Sequence, residues 1–229
     1  MMNIEEKIKE CESILKQIKQ FDPDPYYVNY FFNSYLFSVN KVYVGIFEEA
    51  NRDFGLFIPG KYNRETFLEK AKEKNDQKAM HFASWFDKKY DEEHKNPYPN
   101  FIKKSCKFQN DYRKLPKIKI MIRAKERYVG DPNQEIIANL RDEKLRSKEE
   151  LQIEIKRQIP IFLEVINYKR SNNKEPKINK KQVTVSTFLD IEENDENIEI
   201  TYASEIYISV MKRFLVEARE KIRELTMWA

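Results

Sequence analysis

The sequence has very little glycine, histidine or cysteine, and this scarcity excludes several kinds of functional site. It contains 4 Gly, 2 Cys and 2 His among 229 residues. Phosphate-binding loops need several glycines close together, because backbone N–H groups must approach the phosphate without interference from Cβ atoms. The four glycines are scattered over positions 45, 55, 60 and 130. No Walker-type or dinucleotide-binding loop is therefore expected.

The cysteines and histidines are also too far apart for a zinc site. Zinc ligands come as clusters of Cys and His residues, whereas Cys11 and Cys106 have no Cys or His close to them in the chain. We expect both cysteines to be small buried residues in a reduced protein. The sequence predicts no metal ion and no other cofactor.

The composition is typical of a folded globular protein, with 41% hydrophobic and 35% charged residues. The most apolar stretch, residues 26–47, contains Asn29, Asn33, Asn40 and Lys41. These polar side chains are costly in hydrocarbon, so we expect no membrane span. The charged N-terminus lacks the apolar core of a secretory signal, and a cytoplasmic location is predicted.

Helical periodicity covers the first half of the chain and its end. Apolar residues recur every three or four positions in residues 3–20, which predicts an amphipathic helix. Pro23, Asp24 and Pro25 predict the end of this helix and the start of the next one. The second helix, over 26–54, is so aromatic that we expect other helices to cover it on all sides. Further helices are predicted over 64–74, 76–91, about 101–112, 134–158 and 203–226, with a capping box of Ser147 and Glu150 inside the helix over 134–158.

Alternating side chains after Pro116 predict strands. In KIKIMIR (117–123), three isoleucines fall on one face and Lys117, Lys119, Met121 and Arg123 on the other, the period of a half-buried strand. Strands are also predicted over 159–168, 183–191 and 198–202, the last two as an antiparallel pair.

The order of these elements predicts an α+β fold, mainly a helical bundle, with a small antiparallel β-sheet inserted before the C-terminal helix. We predict a single domain over 1–229. Its helical part comprises 1–116 and 203–229, and its strand-containing insertion comprises 117–202. The alternative is that 117–202 forms an independent domain.

The net charge of +4 hides a strong segregation of charge. Residues 103–127 have a local balance of +8, residues 169–181 of +5 and residues 190–199 of −6. A basic patch attracts nucleic-acid phosphates through counterion release, and aromatic neighbours can stack on bases. The aromatic neighbours are Phe101, Phe108, Tyr112 and Tyr128. The predicted nucleic-acid-binding residues, for RNA or DNA, are Lys103, Lys104, Lys107, Arg113, Lys117, Lys119, Arg123 and Arg127.

Two other interpretations of these charges stay open. Lysines on an exposed strand suppress edge-to-edge pairing of sheets, and the acidic residues of 190–199 can neutralise the basic face within one chain or across a dimer. On the second interpretation the protein is an interaction or structural protein whose charged faces bind a partner subunit. A homo-oligomer, most simply a homodimer, is expected as the binding form.

The helical half of the chain resembles a known family. The aromatic helix FFNSYLFSVNKVYVGIFEEAN (31–51) leads through a loop to FASWFDKKYDEEHKNPYPNFIKKSCKFQNDYRK (82–114). This arrangement resembles prokaryotic HEPN-type helical bundles over residues 26–114. The resemblance implies a helical bundle that is often dimeric, in a family with many RNA-cutting members of defence and toxin–antitoxin systems.

The catalytic signature of that family is absent from this sequence. The signature is an Arg followed, after four to six residues, by a His. Arg113 is followed at this spacing by residues 118–120, which include no His, and neither His81 nor His94 has an Arg at this distance upstream. Without the histidine of this signature, metal-free RNA cleavage lacks the side chain that would transfer the proton. The resemblance therefore implies a non-catalytic member, and no catalytic residue is predicted; a HEPN-like ribonuclease with a non-standard site is the alternative.

Both histidines are expected to be structural. His81 is predicted to be half-buried, and His94 to belong to a solvated, salt-bridged helix end together with Asp91, Glu92 and Glu93. The sequence as a whole thus predicts a non-catalytic nucleic-acid-binding or scaffolding protein.

Overall fold

A computed structural model describes residues 3–60, 62–107, 118–125, 135–139, 147–190 and 197–227. These residues form a mainly helical α+β structure with a small antiparallel sheet before the last helix, which confirms the predicted fold class. The helices are α1 (Ile4–Phe21), α2 (Pro25–Asp53), α3 (Arg64–Glu73), α4 (Gln77–Glu93), α5 (Pro97–Lys107), α6 (Lys148–Asn172) and α7 (Ile200–Met227). The strands are β1 (Ile118–Lys125), β2 (Glu135–Asn139), β3 (Val183–Asp190) and β4 (Asn197–Glu199).

The chain divides into two compact units. The first unit contains residues 1–17, 31–115 and 201–229, and the second contains residues 18–30 and 116–200. The predicted single-domain organisation stays a prediction.

Aromatic side chains fill the core of the first unit. Phe47 of α2 is buried between Phe67 of α3 and Phe86 of α4, with ring centroids 5.4 Å and 4.5 Å away. Phe214 of α7 meets Phe86 edge to face at 5.1 Å. Burying a ring of this size contributes about 1.5–3 kcal/mol. Four helices are therefore held around one aromatic cluster.

The start of α2 follows the sequence signals. Asp24 accepts a hydrogen bond at Oδ1 from the Tyr26 backbone N–H over 3.1 Å, which satisfies a donor that the first helical turn leaves free. The prediction that α2 is covered on all sides is wrong, because Tyr26, Tyr30 and Phe37 are exposed. The hydroxyls of the two tyrosines can remain in water, and the Phe37 ring lies 4.9 Å from Nζ of Lys41.

The four strands of the second unit form one antiparallel sheet in the order β2-β1-β3-β4. Ile122 of β1 lies opposite Val185 of β3, and Ile120 lies opposite Thr187. The strand predicted over 117–123 and the antiparallel pair of β3 and β4 are both confirmed over their described residues. In β1, Ile120 and Ile122 point into a buried cluster as predicted, but the strand is not half-buried, because Met121 on the opposite face is only 4% exposed.

Helix α6 covers this sheet face with Leu151, Ile155, Phe162 and Ile166. The predicted capping box of Ser147 and Glu150 is present, but it forms the start of α6 and does not lie inside a longer helix. The Ser147 hydroxyl accepts from the Glu150 N–H, and the Glu150 carboxylate accepts from the Ser147 N–H. The strand predicted over 159–168 is wrong, because these residues continue α6. The four buried side chains recur with helical spacing, and Pro160 on the exposed side costs the helix a single hydrogen bond.

Two further predictions need correction at strand ends. The helix predicted over 134–158 starts only at Lys148, and residues 135–139 form β2, where Ile136 and Ile137 suit an extended, pleated segment. The strand predicted over 198–202 ends at Glu199, because α7 begins at Ile200. Among the helices within the described ranges, none is long and apolar enough to cross a membrane.

Candidate nucleic-acid interface

The predicted binding residue Lys103 lies on α5 and is engaged by its neighbours. Its Nζ atom is 2.9 Å from Oδ1 of Asp91 and 4.9 Å from the centroid of the Tyr90 ring. The hydrogen bond and charge of Lys103 lower the pKa of Asp91. A phosphate that approaches Lys103 must therefore compete with a carboxylate and an aromatic face.

Arg123 on β1 is held in the same way. Its Nη1 atom lies 2.5 Å from Oε2 of Glu199, and its Nε donates to the Thr184 hydroxyl over 3.0 Å. Glu199 belongs to the acidic segment 190–199, so this pair neutralises one of the predicted binding residues, Arg123, within one chain. An arginine with two polar partners beside it is positioned to hold the sheet together rather than to meet an incoming anion.

The other predicted residues are distributed as follows. Lys104 and Lys119 are half-buried, and each interacts with other groups of the chain. Lys107 closes α5, and Arg113, Lys117 and Arg127 lie outside the described residues. Lys103 and Lys104 belong to the first unit, whereas Lys119 and Arg123 belong to the second.

One of the aromatic residues proposed for base stacking is not accessible. Phe101 is 1% exposed and stacks on Phe32 of α2 at 6.0 Å. It contributes to the core of the first unit and cannot reach a base. Phe108, Tyr112 and Tyr128 lie outside the described residues.

The second basic region of the sequence, residues 169–181, has a different character. It runs from the last turn of α6 through a loop to the short 3₁₀ helix at 180–182. Five of its lysines are exposed, and among the described residues none of the five has an ion-pair partner. These lysines are Lys169, Lys174, Lys177, Lys180 and Lys181.

Side-chain hydrogen bonds fix this 169–181 segment to α6. The Asn167 amide donates to the Ile178 carbonyl over 2.9 Å and accepts from the Ile178 N–H over 2.8 Å. Buried Arg170 donates from Nε to the Pro176 carbonyl over 2.5 Å and lies 3.6 Å from Glu175. Ile178 is itself buried against the sheet and α6. The lysines therefore project from a backbone that is tied down at several points.

The first unit contains a buried chain of polar side chains that sequence reasoning missed. His94 caps the C-terminus of α4 and is buried, contrary to the predicted solvated helix end. His81, predicted to be half-buried, is exposed instead. The neighbouring residues predict the opposite burial, because His81 lies between two apolar residues and His94 between two charged ones.

The hydrogen-bond partners of His94 determine its tautomer. Its Nδ1 lies 2.6 Å from the Tyr90 carbonyl oxygen, which can only accept, so Nδ1 is the protonated nitrogen. Its Nε2 then accepts from the Tyr207 hydroxyl at 2.9 Å. The Tyr207 oxygen in turn lies 3.0 Å from the Tyr43 hydroxyl, which is left to donate. The chain thus runs in one direction from Tyr43 through Tyr207 to His94.

Burial determines the protonation states in this region. It lowers the pKa of His94, a shift that the bond to the Tyr90 carbonyl opposes and nearby Lys103 reinforces. Burial also raises the pKa of Tyr43 and Tyr207. All three groups are therefore neutral near pH 7, which suits a structural network better than proton transfer with a substrate.

Both cysteines are free thiols, and burial raises the pKa of each to about 12. Such thiols are poor nucleophiles at neutral pH. Across the ranges given above for the structure, no group of three or more His, Cys, Asp or Glu side chains is arranged to hold a metal ion.

Comparison with known proteins adds no family or neighbour to these observations. No family model, no curated protein and no solved structure matches the chain. The resemblance to HEPN-type bundles stays a prediction.

Proposed function

We propose that the protein binds nucleic acid without cutting it, and that the 169–181 segment makes the principal contacts with the phosphate backbone. The observation that supports this proposal is the set of five exposed lysines that have no ion-pair partner within the described residues. The sequence favoured 103–127 on its charge and its aromatic neighbours. Because Lys103 and Arg123 are already ion-paired, we propose the second basic region, 169–181, as the main phosphate-binding segment.

Phosphate binding is the chemistry that such lysines suit best. A lysine that neutralises a phosphate releases condensed counterions, and this release drives association at low salt. A lysine already paired with a carboxylate gains less, because it must first give up its partner. Exposed lysines without a partner therefore contribute more to binding than the engaged cations of α5 and β1.

The same proposal includes the predicted homo-oligomer. A second copy would double the number of lysines that can reach one nucleic-acid chain, and two linked contacts strengthen binding beyond either alone. RNA and DNA offer the same phosphates to lysine, so the proposal extends to both.

Fluorescence anisotropy with a labelled 20-nucleotide single-stranded RNA, and with the DNA of the same length, tests the proposal. We expect binding at 50 mM salt that weakens by at least about tenfold at 200 mM. The triple variant Lys177→Gln, Lys180→Gln and Lys181→Gln should bind more weakly. Its salt dependence should also be shallower, with a slope lower by about one for each phosphate that is no longer neutralised.

A charge-matched variant separates a defined surface from general attraction. Lys72→Gln, Lys88→Gln and Lys95→Gln remove three exposed lysines of the first unit and the same total charge. This variant should bind like the unmodified protein. The proposal fails if neither oligonucleotide binds at 50 mM salt, or if both triple variants lose affinity equally.

A further inference from the structure

Helix α6 has a second apolar face, opposite the one that covers the sheet. Ile153, Ile161 and Tyr168 follow one another at steps of eight and seven residues, about two helical turns each, and so share one side of the helix. Val165 lies at the edge of this side. The exposed fractions of Ile153, Ile161, Val165 and Tyr168 are 65%, 54%, 50% and 70%. Isolated exposed apolar residues are ordinary, but a row along about four turns of one helix is typical of an interaction surface.

Two charged residues lie within this row, and their positions are reciprocal. Arg157 and Glu164 are both exposed on the same side of α6, seven positions apart. They lie at equal distances from the midpoint between Pro160 and Ile161. Arg157 also forms a two-point pair with Glu154 within its own helix, with Nε 3.0 Å from Oε2 and Nη2 2.6 Å from Oε1. Its other guanidinium edge leaves donors for a further carboxylate, since arginine carries five N–H groups.

This arrangement matches itself when it is turned by a half rotation about the midpoint. In an antiparallel pair of α6 helices, Arg157 of one copy lies opposite Glu164 of the other, and the reverse pair forms at the same time. Ile153 then lies opposite Tyr168, and the central Pro160 and Ile161 meet at the axis. A surface that contacts its own copy across a two-fold axis must have this kind of reciprocal pattern.

We infer that a second copy of this chain docks on α6, antiparallel, through Ile153, Ile161 and Tyr168 with reciprocal Arg157–Glu164 pairs. Charge complementarity favours this occupant, because the row is complementary to itself in both apolar and charged positions. The inference specifies the surface of the proposed homo-oligomer and does not depend on nucleic-acid binding. The two α6 C-termini, each followed by a 169–181 segment, lie at opposite ends of such a helix pair.

Charge exchange in the full-length chain tests the inference. Arg157→Glu places two acidic residues opposite each other in the homodimer, and Glu164→Arg places two basic residues there. Like charges across an interface are strongly unfavourable. In sedimentation velocity, the dimer dissociation constant of each single variant should therefore be at least about ten times that of the unmodified chain.

Recombination of the charges provides the decisive result. An equal mixture of the two single variants should dimerise, since the heterodimer restores both opposite-charge pairs. The double variant Arg157→Glu with Glu164→Arg should also dimerise. Lys148→Glu changes an exposed residue on the side of α6 away from this row and should leave the dimer intact. Circular dichroism of each variant confirms that its helices are retained.

The inference is overturned if the unmodified chain stays monomeric up to a protein concentration of about 100 µM, because the dissociation constant of any dimer would then lie above this value. It is equally overturned if both single variants dimerise like the unmodified chain, or if their mixture stays monomeric. All these measurements are made without nucleic acid. A negative result here therefore leaves the binding assay on the monomer intact, and failure of that assay leaves the dimer intact.

Discussion

The Tyr207 hydroxyl donates a hydrogen bond to Nε2 of His94 over 2.9 Å, although the two residues are 113 positions apart in the sequence. This bond joins the C-terminal cap of α4 to the first third of α7. Because both groups are buried, neither can exchange the bond for water without opening the first unit. The stability of this unit should therefore depend on the Tyr43–Tyr207–His94 chain.

Tyr207→Phe should lower the free energy of unfolding by about 1–3 kcal/mol, because it leaves the His94 and Tyr43 polar atoms buried without their shared partner. Urea unfolding followed by circular dichroism measures this change. Tyr202→Phe removes a hydroxyl from an exposed tyrosine of the same helix and serves as the matched control. Equal losses for the two variants would contradict the assigned role of Tyr207.

Acidification should destabilise the protein through His94. Its pKa is lowered from 6.5 by burial in the folded state, so the unfolded chain takes up a proton at higher pH than the folded chain does. The stabilising contribution is complete above pH 6.5 and is lost as the pH falls towards the lowered pKa. His94→Gln should therefore flatten the fall in melting temperature between pH 7.5 and 5.5.

The exposed histidine provides the control for that experiment. His81→Gln replaces the only other histidine of the sequence, at an exposed site, and serves as the matched control. If His94→Gln showed the same pH dependence as the unmodified protein, His94 would not be the group that senses acidification.

Asn167→Ala should loosen the 169–181 segment, because it removes both hydrogen bonds to the Ile178 backbone. We expect a loss of about 1–3 kcal/mol in unfolding free energy and faster trypsin cleavage after Lys174 and Lys177. Mass spectrometry of timed digests measures the cleavage. Asn172→Ala, at an exposed site five residues further along α6, should digest at the unmodified rate.

Local patterns were sufficient to predict much of the fold. The alternation around Ile120 and Ile122 identified β1, and Asp24 marked the start of α2, because caps and side-chain period depend on neighbouring residues. Ser147 and Glu150 were predicted to form a capping box inside a longer helix, whereas they form the start of α6. The failure at 159–168 has a physical reason. A short apolar run with a proline fits a strand as well as a helix, and only the sheet beneath α6 favours the helix.

The partners of the site residues could not be predicted in the same way. Arg123 meets Glu199 from 76 positions away, and His94 meets Tyr207 from still further. Neither pairing has a signature in the flanking residues, since each depends on how distant elements come together. Charge counts along the chain therefore identified two basic regions but could not tell which of them carries cations already engaged by carboxylates.

The paired hydrogen bonds between Asn167 and Ile178 have a consequence for how quickly a ligand can be captured. A segment that already has a defined shape gives up little chain freedom when it meets an anion. Encounter would then be governed by long-range attraction and diffusion instead of by a slow search for a competent loop conformation.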